Sequence, residues 1–265
     1  MMCTQWSLVC WNAHGLNDAR IVELNKIKHS AQPTFITITE THNTRPHSLQ
    51  HYTYQSHSLS NTTRSSGISI YSKLPIRRLT LIESVPSPFY LFFETVIPDP
   101  SKHNRNSPII IGVIYHCPSD PTATKLIYDA IERSLTVKNN PSQFPVLLIG
   151  DWNAHHPYWG SITTNRRGNN LHKFIQDNDL TILNNEFCFG RDTFVQSYSQ
   201  QHEKVKKKVP SILDLAITNC PALFHSLRIH PPFIPLHSDH LPLLLTASPN
   251  INLSYQKTIS NKINV

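Results

Sequence analysis

One short segment, Pro145–Gly160 (PVLLIGDWNAHHPYWG), constrains the fold of this chain more than any other. Its apolar run from Val146 to Ile149 is typical of a strand that is covered on both faces. Gly150 lets the backbone turn, and Asp151 and Asn153 follow at once. A carboxylate and an amide at the end of a strand can converge on a water, a hydroxyl or a phosphate oxygen. The alternative is a turn in which both side chains bond their own backbone.

A second cluster of this kind lies near the end of the chain, in Leu236–Leu245 (LHSDHLPLLL). Ser238, Asp239 and His240 stand immediately before another apolar run. Histidine gains or loses a proton near neutral pH, because its ordinary pKa is about 6.5. A neighbouring carboxylate can orient it for acid–base or phosphate-binding chemistry. An isolated Asp–His pair is more often a surface turn, but two polar tips on apolar strands favour a functional site.

Composition limits the class of protein. A chain of 265 residues, 39% of them hydrophobic, can form one large domain or two small ones with a substantial core. No apolar run approaches the roughly 18 residues of a membrane span, and no signal peptide is recognisable, so we expect an intracellular protein without membrane association. Five cysteines without CxxC spacing favour a reducing compartment over a structural zinc site. The net charge of +7 favours a polyanionic partner, nucleic acid first.

Hydrophobic periodicity predicts more strands than helices, with the helices interspersed among the strands. This pattern favours a mixed α/β or α+β domain in which sheets pack together and helices lie outside. We expect one domain over residues 1–248 and a polar tail or linker over residues 249–265. The predicted helices are Arg20–His29, Thr122–Val137 and Asn169–Gln176. The predicted strands are Ser7–Trp11, Thr34–Thr39, Ile68–Tyr71, Tyr90–Ile97, Ile109–Tyr115, Val146–Ile149, Thr181–Leu183, Phe194–Tyr198, Ile212–Thr218 and Leu241–Thr246.

Polar side chains also stand at or beside the ends of other predicted strands. Asn12 follows the first strand, Glu40 the second, Tyr115 ends a later one, and Asp214 lies in the strand that begins at Ile212. Magnesium prefers oxygen ligands, often one or two carboxylates with several waters retained, and Glu40 fits that role. Each of these side chains alone has an ordinary structural explanation. Their joint arrangement predicts a site.

The ordered motifs WNAHG, ITET, GVIY, GDWNAHH, SILDL and SDHLP resemble the endonuclease/exonuclease/phosphatase superfamily, which has a DNase I-like fold. Within it, GDWNAHHPYWGS, NRRGNNL and LTILNN resemble the endonuclease of non-LTR (LINE-type) retrotransposons, near the Jockey and I groups. The resemblance covers nearly all of Leu8–Thr246. It implies a four-layer α/β sandwich, with two β-sheets face to face and helices outside.

The resemblance also implies a divalent-metal site. Glu40 would be the main ligand of Mg²⁺, with Mn²⁺ as the alternative ion, and Asn12 would lie nearby. Asp239 would lie where the metal and the histidine meet. One position departs from the pattern: His14 stands where abasic-site repair members commonly carry an acidic residue. This departure fits the retroelement branch better than the repair branch.

The remaining roles implied by the resemblance concern the reacting phosphate. Asp151 would orient or deprotonate the attacking water, and Asn153 would hold that water and a phosphate oxygen. Tyr115 and His240 would contact the scissile phosphate, and Asp214 would orient His240. Attack at phosphorus with the 3′ oxygen leaving would give 3′-OH and 5′-phosphate ends.

Basic residues predict where double-stranded DNA is held. A run of charge usually marks a solvated turn, but the family places a DNA-contacting hairpin between the strands at Phe194 and Ile212. Asn165 and two neighbouring arginines form a second candidate contact after the Asp151 loop, and a serine supports the Asp214 strand. The predicted DNA-binding residues are Lys204, Lys206, Lys207, Lys208, Arg166, Arg167 and Ser211.

The sequence thus predicts a metal-dependent DNA endonuclease that nicks target DNA in the nucleus for retrotransposon insertion. We expect no reverse transcriptase module within this chain. An abasic-site or RNA-directed nuclease of the same fold is the first alternative. A catalytically inactive relic that only binds nucleic acid is the second.

Overall fold

The computed structural model describes residues 6–43, 45–59, 66–83, 87–97, 107–136, 144–195, 211–229 and 238–247. The four lysines from Lys204 to Lys208 and the tail over residues 249–265 lie outside these ranges. The predictions made for them, including the end of the domain at residue 248, therefore stay predictions.

The described strands and helices follow one another along the chain in a mixed α/β order. The helices are α1 (Asp18–Ala31), α2 (Thr80–Glu83), α3 (Pro121–Thr136), α4 (Arg166–Asp177) and α5 (Leu183–Phe187). The strands are β1 (Trp6–Asn12), β2 (Phe35–Thr39), β3 (Tyr54–Ser58), β4 (Ile68–Ser72), β5 (Ile76–Arg78), β6 (Tyr90–Ile97), β7 (Ser107–Tyr115), β8 (Val146–Asp151), β9 (Thr181–Ile182), β10 (Asp214–Thr218), β11 (Phe224–Ile229) and β12 (Leu243–Ala247).

Two mixed sheets of six strands each organise these elements. The first has the order β11-β12-β1-β2-β4-β3, and the second has the order β5-β6-β7-β8-β10-β9. In the first sheet β1 and β2 are parallel, and in the second β7 and β8 are parallel. These parallel pairs place the carboxyl ends of neighbouring strands at the same edge.

Alternation along β1 shows how the layers stack. Leu8 and Cys10 belong to the main core together with residues of the second sheet, whereas Val9 and Trp11 pack with α1 in a separate cluster. Side chains two residues apart share a face of a strand, so β1 separates the two cores. Helices α3 and α4 add Ile127, Ile131, Leu171 and Ile175 to the main core. The layers are therefore helix, sheet, sheet and helix, which confirms the predicted four-layer sandwich.

Capping side chains fix where the helices begin. Helix α1 starts two residues before the predicted Arg20, because the side chain of Asn17 accepts a hydrogen bond from the Arg20 amide. Helix α4 starts at Arg166, because the side chain of Asn165 accepts one from the Gly168 amide. Apolar spacing locates the buried stripe of a helix, and it carries little information on the polar first turn.

Two predicted strands differ from the structure. The strand expected at Thr181–Leu183 is limited to β9, and the chain continues directly into α5. There the Asn184 side-chain amide donates to the carbonyl of Asp214 and accepts from the Ala216 amide, so it pairs with β10 in place of a longer strand. The strand expected from Phe194 is described only to Val195, with backbone bridges from Phe194 to Ser211 and His240. In the described part of the chain, no helix is long and apolar enough to cross a membrane.

Candidate active site

The ends of four strands from both sheets meet at one edge of the sandwich. Tyr115 lies beside Asp151 in the parallel pair of β7 and β8, and Asp214 lies opposite Asp151 in β10. Asn12, from the first sheet, donates through Nδ2 to Asp151 Oδ2 at 2.9 Å. Residues far apart in the sequence therefore contact one another across the two sheets.

Asn12 connects the two halves of the site. Its Nδ2 also donates to Glu40 Oε1 at 2.9 Å, and its Oδ1 accepts from the His14 amide at 3.0 Å. The side chain is buried, so these bonds form away from bulk water. Asn12 thereby fixes the carboxylates of Glu40 and Asp151 relative to each other.

Asp151 is buried and surrounded by donors. The Asn153 amide donates to Oδ1 at 2.9 Å, and the Asn153 side chain donates to Oδ2 at the same distance. Burial raises the pKa of Asp151; His240 opposes the rise, and the carboxylates of Asp214 and Glu40 add to it. A carboxyl with a raised pKa accepts a proton more readily near neutral pH, as a general base requires.

His240 is buried between two carboxylates. Its Nδ1 lies 2.8 Å from Asp214 Oδ2, and its Nε2 lies 3.9 Å from Asp151 Oδ2. Burial would lower the pKa of His240, but Asp214 and Asp151 outweigh that effect and raise it. The charged imidazole is therefore the favoured form at neutral pH.

The backbone around His240 is held by side chains from other elements. Trp11 Nε1 donates to the His240 carbonyl at 3.2 Å, and the Ser238 hydroxyl donates to the Asn12 carbonyl at 2.7 Å. The ring of Phe194 stands edge-on to the imidazole, with centroids 5.0 Å apart. The position of His240 is thus determined by both core packing and hydrogen bonds.

Glu40 accepts hydrogen bonds on both carboxylate oxygens. In addition to Asn12, His42 Nε2 lies 3.2 Å from Oε2, and the Tyr115 hydroxyl also bonds to this carboxylate. Burial would raise the pKa of Glu40, but the bonds from His42 and Asn12 outweigh it and the pKa is lowered. Burial and the Glu40 charge raise the pKa of Tyr115, so its phenol stays protonated. The site therefore offers an ionised carboxylate beside a neutral hydroxyl.

Four non-glycine residues of this region have left-handed backbone conformations: φ is 49° at His14, 49° at Glu40, 53° at His42 and 47° at Asn153. Such conformations cost about 1–3 kcal/mol each and persist only where the surroundings enforce them. Their concentration at one edge is typical of a functional site.

Asp239 contributes a carboxylate that pairs with His14, and this contact, together with the charge of His240, lowers the pKa of Asp239 against the effect of burial. Its Oδ1 is shielded from solvent. His14 Nδ1 lies 3.4 Å from this oxygen. The site thus offers a second ionised carboxylate, shielded at Oδ1 and beside an imidazole.

One cluster of side chains in the described residues has ligand atoms close enough together to hold a divalent metal. The ligand atoms of Asp151, Asp214 and His240 lie within 4.8 Å of one another. In this cluster the imidazole of His240 already bonds Asp214. The sequence expectation that Glu40 and Asp239 hold the metal stays a prediction.

The predicted DNA-contacting residues differ in their surroundings. Arg166 is exposed at the start of α4, whereas Arg167 donates to the Pro118 carbonyl at 2.7 Å. Asn165 caps α4 through the Gly168 amide and also donates to the Asn153 carbonyl, and its expected contact with DNA stays a prediction. Ser211 pairs with Phe194 through its backbone amide and carbonyl.

Two further residues hold the backbone of the site, and the sequence did not assign a role to either of them. The hydroxyl of Thr193 accepts from the amides of Leu213 and Asp214, and the His116 amide donates to the Asp151 carbonyl. The buried ring of His116 lies 2.8 Å from the Thr124 hydroxyl. For His116, the one signal in the sequence was its position next to Tyr115. For Thr193 there was none, because it lies in no recognisable motif.

Comparisons with known proteins agree with this geometry. A family model described as endonuclease-reverse transcriptase matches residues 109–244, just over half of the chain. No curated protein sequence matches the chain.

Three solved structures share the fold. The endonuclease domain of TRAS1, a telomere-specific non-LTR retrotransposon, is 16% identical with a TM-score of 0.69, covering 92% of this chain and 98% of that domain. The AP endonuclease LMAP from Leishmania major is 15% identical with a TM-score of 0.68, covering 92% and 88%. The catalytic domain of Xenopus laevis APE2 is 16% identical with a TM-score of 0.64, covering 93% and 94%.

At sequence identities this low, the similar structures establish only the fold. The family model, which matches more than half of the chain, establishes the family. The chain belongs to the endonuclease-reverse transcriptase family and has the DNase I-like fold of a retrotransposon endonuclease domain.

Proposed function

We propose that this protein is a divalent-metal-dependent endonuclease that nicks double-stranded target DNA for retrotransposon insertion, leaving a 3′-OH end. The observation that carries this proposal is the convergence of Asp151, Asn12 and Glu40 through one buried amide, with His240 beside them. Together these groups offer a base, a cation and an ionised metal ligand within one site. Nuclear DNA is the substrate this function implies.

Asp151 is proposed to activate the attacking water. Its raised pKa suits proton abstraction, and the Nδ2 of Asn153, bonded to Oδ2, is placed to orient a water or phosphate oxygen beside it. Attack on phosphorus and cleavage of the bond to the 3′ oxygen would give 3′-OH and 5′-phosphate products.

His240 and Tyr115 are proposed to contact the scissile phosphate. A charged imidazole held by Asp214 is a strong donor to developing negative charge, because the buried site weakens competition from water. The protonated phenol of Tyr115 would be a second donor when its hydroxyl turns from Glu40 to the phosphate. Neither group needs to move a proton to serve in this way.

Glu40 and Asp239 are proposed to hold the divalent ion, Mg²⁺ or Mn²⁺, with Asn12 fixing Glu40. The shielded Oδ1 of Asp239 and the ionised state of Glu40 fit a hard cation. Such an ion stabilises the charge of a phosphoryl group and of the leaving oxygen.

A basic cavity beside the site supports DNA as the partner. It has a volume of about 580 Å³ and lies next to Asn153, to which its lining residue Asn165 is bonded. Among the described residues its three cations form no ion pair. The lining residues are Thr124, Lys125, Asn165, Arg166, Arg167 and Asn170. Unpaired cations of this kind bind phosphates irrespective of base sequence.

Nicking of supercoiled plasmid with Mg²⁺, with and without chelator, tests the proposal. Asp151→Ala, His240→Ala and Glu40→Ala should each lower the rate, by about 10²–10⁴-fold for a general acid or base. Asp177→Ala, at an exposed carboxylate of α4, is the matched control. Near-wild-type rates in any two of the three folded site variants would contradict the assignment. The rates on intact and on abasic DNA are then compared. Nicking of intact DNA supports cleavage of a target site, whereas cleavage confined to abasic DNA supports a repair activity.

A further inference from the structure

Two exposed apolar side chains stand on neighbouring turns of the chain. Ile162 is 83% exposed, the highest value for a large apolar side chain in the described residues, and Phe189 is 61% exposed. Their turns touch, because a Cβ placed on Gly160 would lie 2.7 Å from the Cα of Gly190. Single exposed apolar residues are ordinary on a protein surface. Two of them on adjoining turns form a surface that a partner can cover.

The turn that carries Ile162 is tied to the segment that carries Asn153. Three residues after Ile162, the Asn165 amide donates to the His155 carbonyl at 3.0 Å, and the Asn165 side chain donates to the Asn153 carbonyl at 3.1 Å. Asn153 in turn donates to the carboxylate of Asp151. Ile162 is therefore held close to the loop that carries the proposed base.

The turn that carries Phe189 is also joined to the site. The Arg191 amide donates to the Cys188 carbonyl at 3.1 Å and closes a tight turn around Phe189. Two residues after Arg191, the Thr193 hydroxyl accepts a hydrogen bond from the Asp214 amide at 2.9 Å. Both apolar side chains thus stand at the rim of the proposed active site.

The surface next to Ile162 is basic. The cavity between α3 and α4 begins three residues further on, at Asn165, and its exposed cations Lys125 and Arg166 suit backbone phosphates. Proteins that bend DNA combine such cations with apolar side chains, which enter the minor groove and partly unstack a base step. The cations, with the net charge of +7, favour DNA over a protein as the molecule that covers the two apolar side chains.

We propose that Ile162 and Phe189 form an apolar wedge that enters a groove of the target DNA beside the cut and partly unstacks a base step, so that nicking favours flexible sequences. Pyrimidine–purine steps such as TA and CA are the easiest to unstack. Isoleucine suits a wedge because its β-branched side chain is stiff at χ1. This inference rests on the proposed function for the identity of the substrate.

The fluorescence of 2-aminopurine, which rises when the base unstacks, tests the wedge without cleavage. The full chain is added, in chelator, to duplexes that carry the probe at successive steps around a mapped nick site. We expect a rise at particular steps with the wild type and a smaller rise with Ile162→Ser or Phe189→Ser. No rise at any step with wild-type protein that binds the duplex would overturn the inference.

Val96→Ser is the matched control, because it makes the same kind of change at an exposed apolar residue far from the site. Val96 is 39% exposed and pairs with Pro108 at the start of β7, whereas Tyr115 of the site ends that strand. This variant should keep the wild-type fluorescence. An equal loss of signal in Val96→Ser would mean that the effect is not specific to the wedge, and it would also overturn the inference.

Binding and nick positions give a second readout. Burying a large aliphatic side chain is worth about tenfold in affinity or more, so Ile162→Ser should weaken DNA binding about tenfold. Its salt slope should stay unchanged because isoleucine neutralises no phosphate, whereas Arg166→Ala should lower the slope by about 0.9. Sequencing of nicked ends should show a preference for TA and CA steps that falls in Ile162→Ser.

The outcomes separate this inference from the proposed function. Nicking by the wild type, with affinity and nick positions unchanged in Ile162→Ser, would keep the proposed function and reject the wedge; a protein partner would then be the molecule that covers this surface. Unstacking of bound DNA without any nicking would support the wedge and reject the endonuclease. Failure to bind duplex DNA would reject both.

Discussion

The contact between Asp214 and His240 makes the most specific prediction about the chemistry. Asp214→Asn removes the charge of a buried carboxylate whose Oδ2 lies 2.8 Å from His240 Nδ1, while it keeps the size of the side chain. The asparagine oxygen can still accept the imidazole hydrogen bond. The variant therefore isolates the electrostatic contribution of Asp214 from its contribution to packing.

The size of the effect follows from the short distance. Two unit charges with centres about 4 Å apart interact by about 4 kcal/mol at an effective dielectric constant of about 20. Since one pKa unit corresponds to about 1.36 kcal/mol, the pKa of His240 should fall by about 3. It stands at about 10 in the native site and would therefore approach neutrality in the variant. Nicking should then decline at pH values above neutrality, where His240 loses its proton.

Two measurements check this prediction. Histidine ring NMR gives the pKa of His240 in the wild type and in Asp214→Asn, and single-turnover nicking across pH gives the kinetic consequence. Asp177→Asn is the matched control, because it removes an exposed carboxylate that pairs only with Lys173 in the described residues. An exposed pair of this kind is worth little, so this control should leave both profiles unchanged.

The reasoning would be refuted by a His240 pKa that stays near the wild-type value in a folded Asp214→Asn protein. An unchanged pH–rate profile with unchanged activity would likewise leave Asp214 as an ordinary structural residue. A uniform loss of activity at all pH values, without a change in pKa, would mean that Asp214 acts through packing alone.

Further outcomes are expected from the same structure. The pKa of Asp151 is raised to about 7, so nicking should rise as pH increases through that value, and this limb of the profile should vanish in Asp151→Asn. Gly168→Ala would bring a Cβ to 1.8 Å from the His155 carbonyl oxygen, so it should destabilise the fold by about 1–3 kcal/mol in denaturant melts and slow nicking; exposed Asn169→Ala is its control. Replacing Lys206–Lys208 with Ala should lower the salt slope of DNA binding by about 0.9 for each phosphate that the variant no longer neutralises, and an unchanged slope would make the run a solvated turn.

Local patterns predicted the elements that carry the site. The apolar run before Asp151 forms β8, and the residues before Leu243 lead into β12. Strand ends are predictable because a buried apolar run must stop where polar side chains begin. The boundaries of α1 and α4 were less predictable, since they depend on single capping side chains.

Pairwise contacts within the site were beyond the reach of local patterns. The bond between Asn12 and Asp151 joins two sheets, and the contact between His42 and Glu40 depends on the left-handed backbone conformation of both residues. Nothing in the residues around Asn165 indicated that its side chain caps α4. An asparagine side chain caps a helix only where free backbone amides are in reach.

The sequence by itself determined the strands that carry the site, their polar ends and the order of the motifs, because these depend on periodicity and on neighbouring residues. Only the tertiary structure decided that Asp239 Oδ1 is shielded, that His14 stands beside it, and that His240 lies between two carboxylates. The physical reason is that burial and the interaction between charges depend on three-dimensional distances, which local sequence does not specify. They depend on which distant strands the two sheets bring together, and hydrophobic packing between the sheets determines that.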